Sequence, residues 1–110
     1  MILKNIPQSE VLNLKDSVSY AEGQVVSKTL IQNKGLGITI FAFAKGEGIS
    51  THESKGDALV TALDGKGKIT VDGKDFILSA GQSIVMPANV PHAVYGEENF
   101  KMLLVVAFPE

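Results

Sequence analysis

After residue 23 the chain never runs far without a glycine, proline, asparagine or aspartate, and the intervals between them are rich in Val, Ile, Thr and Phe. Intervals of that length and composition suit strands, and none carries a 3.6-residue apolar period long enough for a helix. Strands are expected near residues 24–32, 36–44, 57–63, 67–72, 74–79, 83–86, 91–95 and 99–108. Val71-Asp72-Gly73-Lys74 reads as a hairpin, because Asp-Gly supplies the two positive-φ positions of a type I′ turn. Asp64-Gly65 is a second turn signal. Many evenly spaced short strands of this kind make a sandwich or a barrel, so the expected fold class is all-β.

Residues 1–22 are more polar and irregular, with an apolar cluster at Val11, Leu12 and Leu14. They read as an N-terminal arm that packs on the domain or on a partner, and residues 23–110 read as a single domain. The runs Ile38–Phe43 and Lys101–Phe108 carry apolar residues on both faces. A strand of that kind is covered on both sides, and a small barrel has little to cover its outside. A homodimer is therefore expected.

Net charge −2 argues against a nucleic-acid surface, which needs a basic patch. With no cysteine, disulfides, thiolate nucleophiles and zinc–thiolate sites are excluded. No basic segment followed by an apolar run suggests a signal peptide, and the longest apolar run, Met102 to Phe108, is too short to span a bilayer. The expected location is cytoplasmic, with no membrane or nucleic-acid partner.

The chain has only two histidines, and each closes a glycine or proline frame. Gly46-Glu47-Gly48-Ile49-Ser50-Thr51-His52 is the first; the second runs from Gly81 through Met86-Pro87-Ala88-Asn89-Val90-Pro91 to His92. Two such frames in a β-rich chain predict two imidazoles brought together on neighbouring strands, which is how a small barrel builds a metal or ligand site.

These frames resemble the two motifs of the cupins, small double-stranded β-helix or jelly-roll barrels. The first cupin motif is a glycine, a His-x-His pair, a glutamate and a closing glycine; here Gly46, His52 and Gly65 stand at its separations. The second is a glycine, Pro-x-Gly, a histidine and an asparagine; Gly81, Pro87 and His92 fit it. The segment His52 to Val60 looks like that of a bacterial cupin subgroup of mostly unassigned function. The resemblance covers roughly residues 36–96 and implies a family containing both enzymes, such as dioxygenases and isomerases, and non-catalytic binding domains.

The departures fall on the metal site. Ser54 stands at the second histidine position, Ala58 at the glutamate, Asn89 at the Pro-x-Gly glycine and Gly96 at the asparagine. Of the implied three-His-one-Glu set only His52 and His92 survive. Asn89 tolerates the left-handed conformation and so preserves the turn. Glu53 and Asp57 neighbour the vacant positions, but strand alternation directs them away from the face of His52, Ser54 and Ala58. Asp57 either turns inward at a bulge, as a metal ligand or general base, or bonds backbone amides in a loop. Ser54 reads as small polar lining, since a nucleophile needs an oriented base. Gly46-x-Gly48 lacks the helix and Lys-Ser/Thr pair of a phosphate loop.

The expectation is a small-molecule-binding or sensing barrel with a ligand site at His52, Ser54 and His92 and a divalent metal bound weakly or not at all. The alternative is a metal-dependent cupin enzyme using His52 and His92. Met86, Met102 and the phenylalanines are candidates for an apolar pocket wall.

Overall fold

The computed structural model describes residues 2–109. They form seven strands: β1 (Val25–Gln32), β2 (Leu36–Phe43), β3 (Gly48–His52), β4 (Asp57–Val71), β5 (Lys74–Ser79), β6 (Ser83–Met86) and β7 (His92–Ala107). All pairings are antiparallel. The two long strands, β4 and β7, run side by side and each serves two sheets. The C-terminal half of β7 lies between β2 and the first half of β4, which carries β6 on its other edge; β1 extends that sheet beyond β2. The N-terminal half of β7 lies between β3 and the second half of β4, which carries β5. The two sheets face one another as a jelly-roll barrel.

Asp72 and Gly73 have φ of 51° and 79°, as the predicted hairpin turn requires. Asp64-Gly65, by contrast, does not reverse the chain. The ladder with β7 continues through Asp64↔Lys101 and Gly65↔Phe100, with irregularities on either side. The strands expected at 57–63 and 67–72 are thus one bent strand, as are those at 91–95 and 99–108. Gly65 makes the bend possible: its φ is 73°, and a Cβ there would lie 1.7 Å from the Asn99 carbonyl oxygen. Strand β3 had no counterpart in the expected set, because its polar Ser50-Thr51-His52 end lacks a strand composition.

The core between the sheets includes Phe43, Val60, Ala62, Ile69, Phe100 and Met102. A second cluster, Val18, Leu30, Ile40 and Ala42, lies on the outer face of β2. The arm supplies this cover: Val18 is buried, Leu14 and Tyr20 pack beside it, and Leu14–Ser17 makes one 3-10 turn. Part of the two-faced character of β2 and β7 is therefore satisfied within the chain. The arm also caps the outer edge of β1. Lys4 N–H donates to Leu30 O at 2.7 Å and Asn5 Nδ2 to Thr29 O at 2.8 Å, where a register shift frees those carbonyls from the ladder. An edge strand closed in this way is protected from adventitious pairing. Tyr20 OH donates to Asp64 Oδ2 at 2.7 Å, tying the arm to the bend of β4. No helix among the described residues is long and apolar enough to cross a membrane.

What remains open on the outer face is a row across neighbouring strands. Val105 pairs with Ile38 and with Leu59, and Leu59 pairs with Val85. Leu59 is 42% and Val85 52% exposed.

Candidate ligand site at the barrel mouth

His52 ends β3 and His92 begins β7, and the two are direct partners in the β3–β7 ladder. Their Nε2 atoms are 3.1 Å apart, with the rings edge to face. His92 is 3% exposed, while His52 is exposed on the rim. The frames explain the convergence. Asn89 adopts φ of 62°, the left-handed conformation expected of it. Its N–H donates to Ser54 O at 2.7 Å, which brings the loop before His92 against the loop after His52.

The ring tautomers follow from their partners. His52 Nδ1 lies 2.9 Å from Ser50 O, and His92 Nδ1 lies 3.1 Å from Val90 O. A carbonyl oxygen only accepts, so each Nδ1 carries the hydrogen, and each Nε2 of a neutral ring is a bare lone pair. Two lone pairs facing across 3.1 Å repel one another. The arrangement would become attractive with a metal ion bound by both rings. Bound at roughly 2.05 Å, two imidazole nitrogens stand about 2.9 Å apart at a right angle and about 3.35 Å apart at a tetrahedral angle. The observed 3.1 Å lies between these values. The backbone carbonyls on Nδ1 are also the outer-shell partners that ligating histidines use. The pair therefore fits a divalent ion in kind, tautomer and spacing.

It does not find a third strong ligand. Among the described residues no group of three His, Cys, Asp or Glu side chains converges. Asp57 is exposed, and its Oδ1 accepts from Ala88 N–H at 2.8 Å. The bulge that would turn it inward is absent: β4 is regular from Asp57 to Ala62, and its irregularities come later. Asp57 Oδ1 is therefore a strut to the loop before His92, and no bulge turns the residue toward the imidazole pair. Ser54 does face the site, and its Oγ accepts from Gly56 N–H at 3.1 Å. No hydrogen bond joins it to either imidazole among the described residues, so it lacks the base a nucleophile needs.

Behind the histidines lies a cavity of about 250 Å³. His52, Ser54 and His92 are its polar lining; the rest is apolar and includes Ala58, Met86, Met102, Leu104 and Val106. No charged side chain lines it. Two of the methionines thus belong to the site, whereas the phenylalanines do not: Phe41, Phe43 and Phe100 stack in succession within the core, with centroid separations of 5.6 and 6.0 Å. Leu104 and Val106 were unreadable as lining residues, because their run is apolar at every position. Their parity comes from pairing, with Ala58 opposite both Met86 and Val106. Larger depressions exist, such as one of about 380 Å³ along Gly48, Lys68 and Tyr95, but they are shallow grooves outside the barrel.

A jelly-roll barrel built on two long, bent antiparallel strands defines the class of double-stranded β-helix proteins. The chain belongs to the cupin family: residues 39–108 match the cupin domain model. It is similar to a conserved protein of unknown function from Streptococcus pyogenes, at 46% identity and a TM-score of 0.98, over 100% of this chain and 96% of that one. It is similar to a cupin superfamily protein from Desulfitobacterium hafniense DCB-2, at 36% identity and a TM-score of 0.92, over 97% and 98% of the two chains. A cupin 2 conserved barrel domain protein from Leptotrichia buccalis is 54% identical over 87% of this chain and 47% of its own, with a TM-score of 0.85. None of the curated proteins matches the chain.

Proposed function

We propose that this cupin is a small-molecule-binding barrel whose ligand lies in the cavity behind His52 and His92, with a divalent ion held weakly by that pair when present. The observation that carries this reading is the division of the cavity: one polar spot at the mouth and an apolar interior without charge. An apolar pocket with a few oriented polar groups is the usual form of a small-molecule site. Two neutral nitrogens leave most of a metal's coordination to water or ligand, so the ion exchanges readily.

A second reading, a metal-dependent enzyme completed by its substrate, is favoured by the facing lone pairs of the imidazoles. A bound divalent ion would supply Lewis-acid polarisation of a ligand oxygen. In that reading His52 and His92 hold the ion, Ser54 orients the ligand and the apolar walls exclude water. The proposed assembly is a homodimer in which a second copy covers the row at Val105, Leu59 and Val85.

The three methionines make the first reading directly testable. In protein labelled at the methionine methyl groups and purified without a histidine tag, the Met86 and Met102 signals should shift on adding a small-molecule library. Replacing Ala58 with Leu should fill the cavity and abolish the shifts. A library that leaves both methyls unmoved would defeat the binding reading. Stoichiometric, chelator-resistant metal in the same preparation would select the enzyme.

A further inference from the structure

We infer that the ligand of this cavity is a small uncharged molecule with an apolar body, an alkyl or aryl alcohol whose single hydroxyl is its polar head. The inference rests on the cavity being the binding site, and it names the chemistry that fits it.

The absence of charge follows from the wall. Only His52, Ser54 and His92 bring side-chain nitrogen or oxygen to the lining, and no lysine, aspartate or glutamate is among the lining residues. The charged residues beside them in sequence, Glu53, Lys55 and Asp57, are exposed. Asp57 is also engaged by Ala88 N–H. An ionic group enclosed by this wall would lose its water and meet no counter-charge, the costliest kind of burial. Apolar surface, by contrast, is stabilised wherever it leaves water for such a wall.

The single hydroxyl follows from a count of hydrogen-bonding atoms. Ser54 Oγ already accepts from Gly56 N–H, leaving its own hydrogen as a donor. The two rings give their Nδ1 hydrogens to Ser50 O and Val90 O, so each Nε2 only accepts. One donor beside acceptors matches a ligand atom that both accepts and donates. A hydroxyl does so: its oxygen takes the Ser54 hydrogen and its own hydrogen goes to an imidazole. A carboxylate or an ether oxygen has no hydrogen for the rings, and an alkylamine is charged at neutral pH. A second hydroxyl would find no partner, since the rest of the lining is apolar. Each unpaired hydroxyl costs about tenfold or more in affinity, which excludes sugars and polyols. Size gives the remaining limit. An apolar cavity of about 150 Å³ accepts benzene, so the 250 Å³ here has room for about ten non-hydrogen atoms. The thioethers of Met86 and Met102 adapt to irregular shapes and favour aromatic edges, which brings aryl bodies within the class.

The test uses the tag-free protein with labelled methionine methyls, as purified and again with a chelator. The probes are 2-phenylethanol and hexanol, their acids phenylacetate and hexanoate, the methyl ether of 2-phenylethanol, and the polyol sorbitol. Dissociation constants are read from the Met86 and Met102 methyl shifts. In both conditions the two alcohols should bind at least about tenfold more tightly than the acids and sorbitol, the margin of one unpaired polar group. 2-Phenylethanol should bind about threefold or more tighter than its ether, the margin of one hydrogen bond donated to the rings. In Ala58→Leu, with the cavity filled, the alcohols should move neither methyl. Acids or sorbitol binding as tightly as the alcohols, in either condition, would overturn the class. An ether that binds as well as its alcohol would overturn the hydroxyl head. Loss of those same shifts in Ala58→Leu would leave the cavity standing as the site. Silence from every probe would overturn the class and, with a silent wider library, the binding reading beneath it.

Discussion

Restoring the two vacant ligand positions, with Ser54→His and Ala58→Glu together, should produce a protein that depends on metal for its stability. Ala58 is 2% exposed, pairs with Met86 and Val106, and lines the cavity beside the imidazole pair. A glutamate there enters an apolar wall with no cation in reach. Burying such a group without a partner costs several kcal/mol, limited by its taking up a proton; about 3 kcal/mol is a working figure. For a chain of 110 residues the unfolding entropy makes 1 kcal/mol worth about 4 °C. The metal-free double variant should therefore melt about 12 °C below wild type. Zinc bound by the two native and two added ligands reverses the loss, because the new carboxylate then has its cation. At a free concentration a hundred times the dissociation constant the linkage term is about 2.7 kcal/mol, or about 11 °C. Differential scanning calorimetry with chelator and with graded zinc measures both quantities. The wild-type melting temperature should move by no more than about 2 °C over the same series, since a weak two-nitrogen site binds little zinc at those concentrations. A double variant that melts like wild type in chelator would show that residue 58 does not face the cavity. A large loss that zinc fails to recover would show that positions 54 and 58 do not converge with His52 and His92.

Three further outcomes are expected. Asp57→Ala should cost about 1 kcal/mol, as an exposed charge-assisted bond, and speed exchange of the Ala88 amide, whereas Asp57→Asn, which keeps the acceptor, should restore most of the protection; equal exchange in both variants would remove the strut. Burial first, then the hydrogen bond and charge of Asp64, push the Tyr20 hydroxyl above the usual tyrosine range. The stability this brings is whole below about pH 10, where the tyrosine of the unfolded chain is still protonated. It declines as pH rises above that toward the raised folded value, so Tyr20→Phe should flatten the alkaline fall in denaturation midpoint, and an unchanged slope would contradict the assignment. Leu59→Lys or Val85→Lys should convert the proposed dimer to a monomer in light scattering, and a wild-type protein already monomeric at micromolar concentration would end that proposal.

Much of the barrel was legible because its signals are local. Asp72-Gly73 must turn wherever it occurs, and Asn89 carries the left-handed conformation that its glycine counterpart would supply. Glycine and proline framing located His52 and His92 on neighbouring strands, and alternation along β4 turned Asp57 away from the cavity face of Ala58. Ser54 reaches the cavity from the loop between β3 and β4, where strand alternation does not apply. Where a local signal was ambiguous the reading failed. Asp64-Gly65 has the composition of a turn, but the ladder from Asp64↔Lys101 to Gly65↔Phe100 holds it as a bend within a strand. Strand β3 was invisible because its residues pair with β7 through backbone bonds that do not depend on apolar side chains.

The sequence by itself determined that this chain makes an all-β cupin barrel and that Ser54 and Ala58 stand at two of the motif positions, because turn chemistry, alternation and the identity of residues at motif positions are properties of the chain. Only the tertiary structure decided which side of each apolar run faces the cavity. Between Met102 and Val106 every residue is apolar, and only the register with Ala58 and Val60 selects Leu104 and Val106 as the inward pair. It also decided that the arm, through Val18 and Tyr20, covers part of the outer sheet that a partner had been expected to cover. The 3.1 Å opposition of two lone pairs likewise required the fold. It depends on Ser50 O and Val90 O fixing both tautomers while residues forty positions apart meet across a strand ladder.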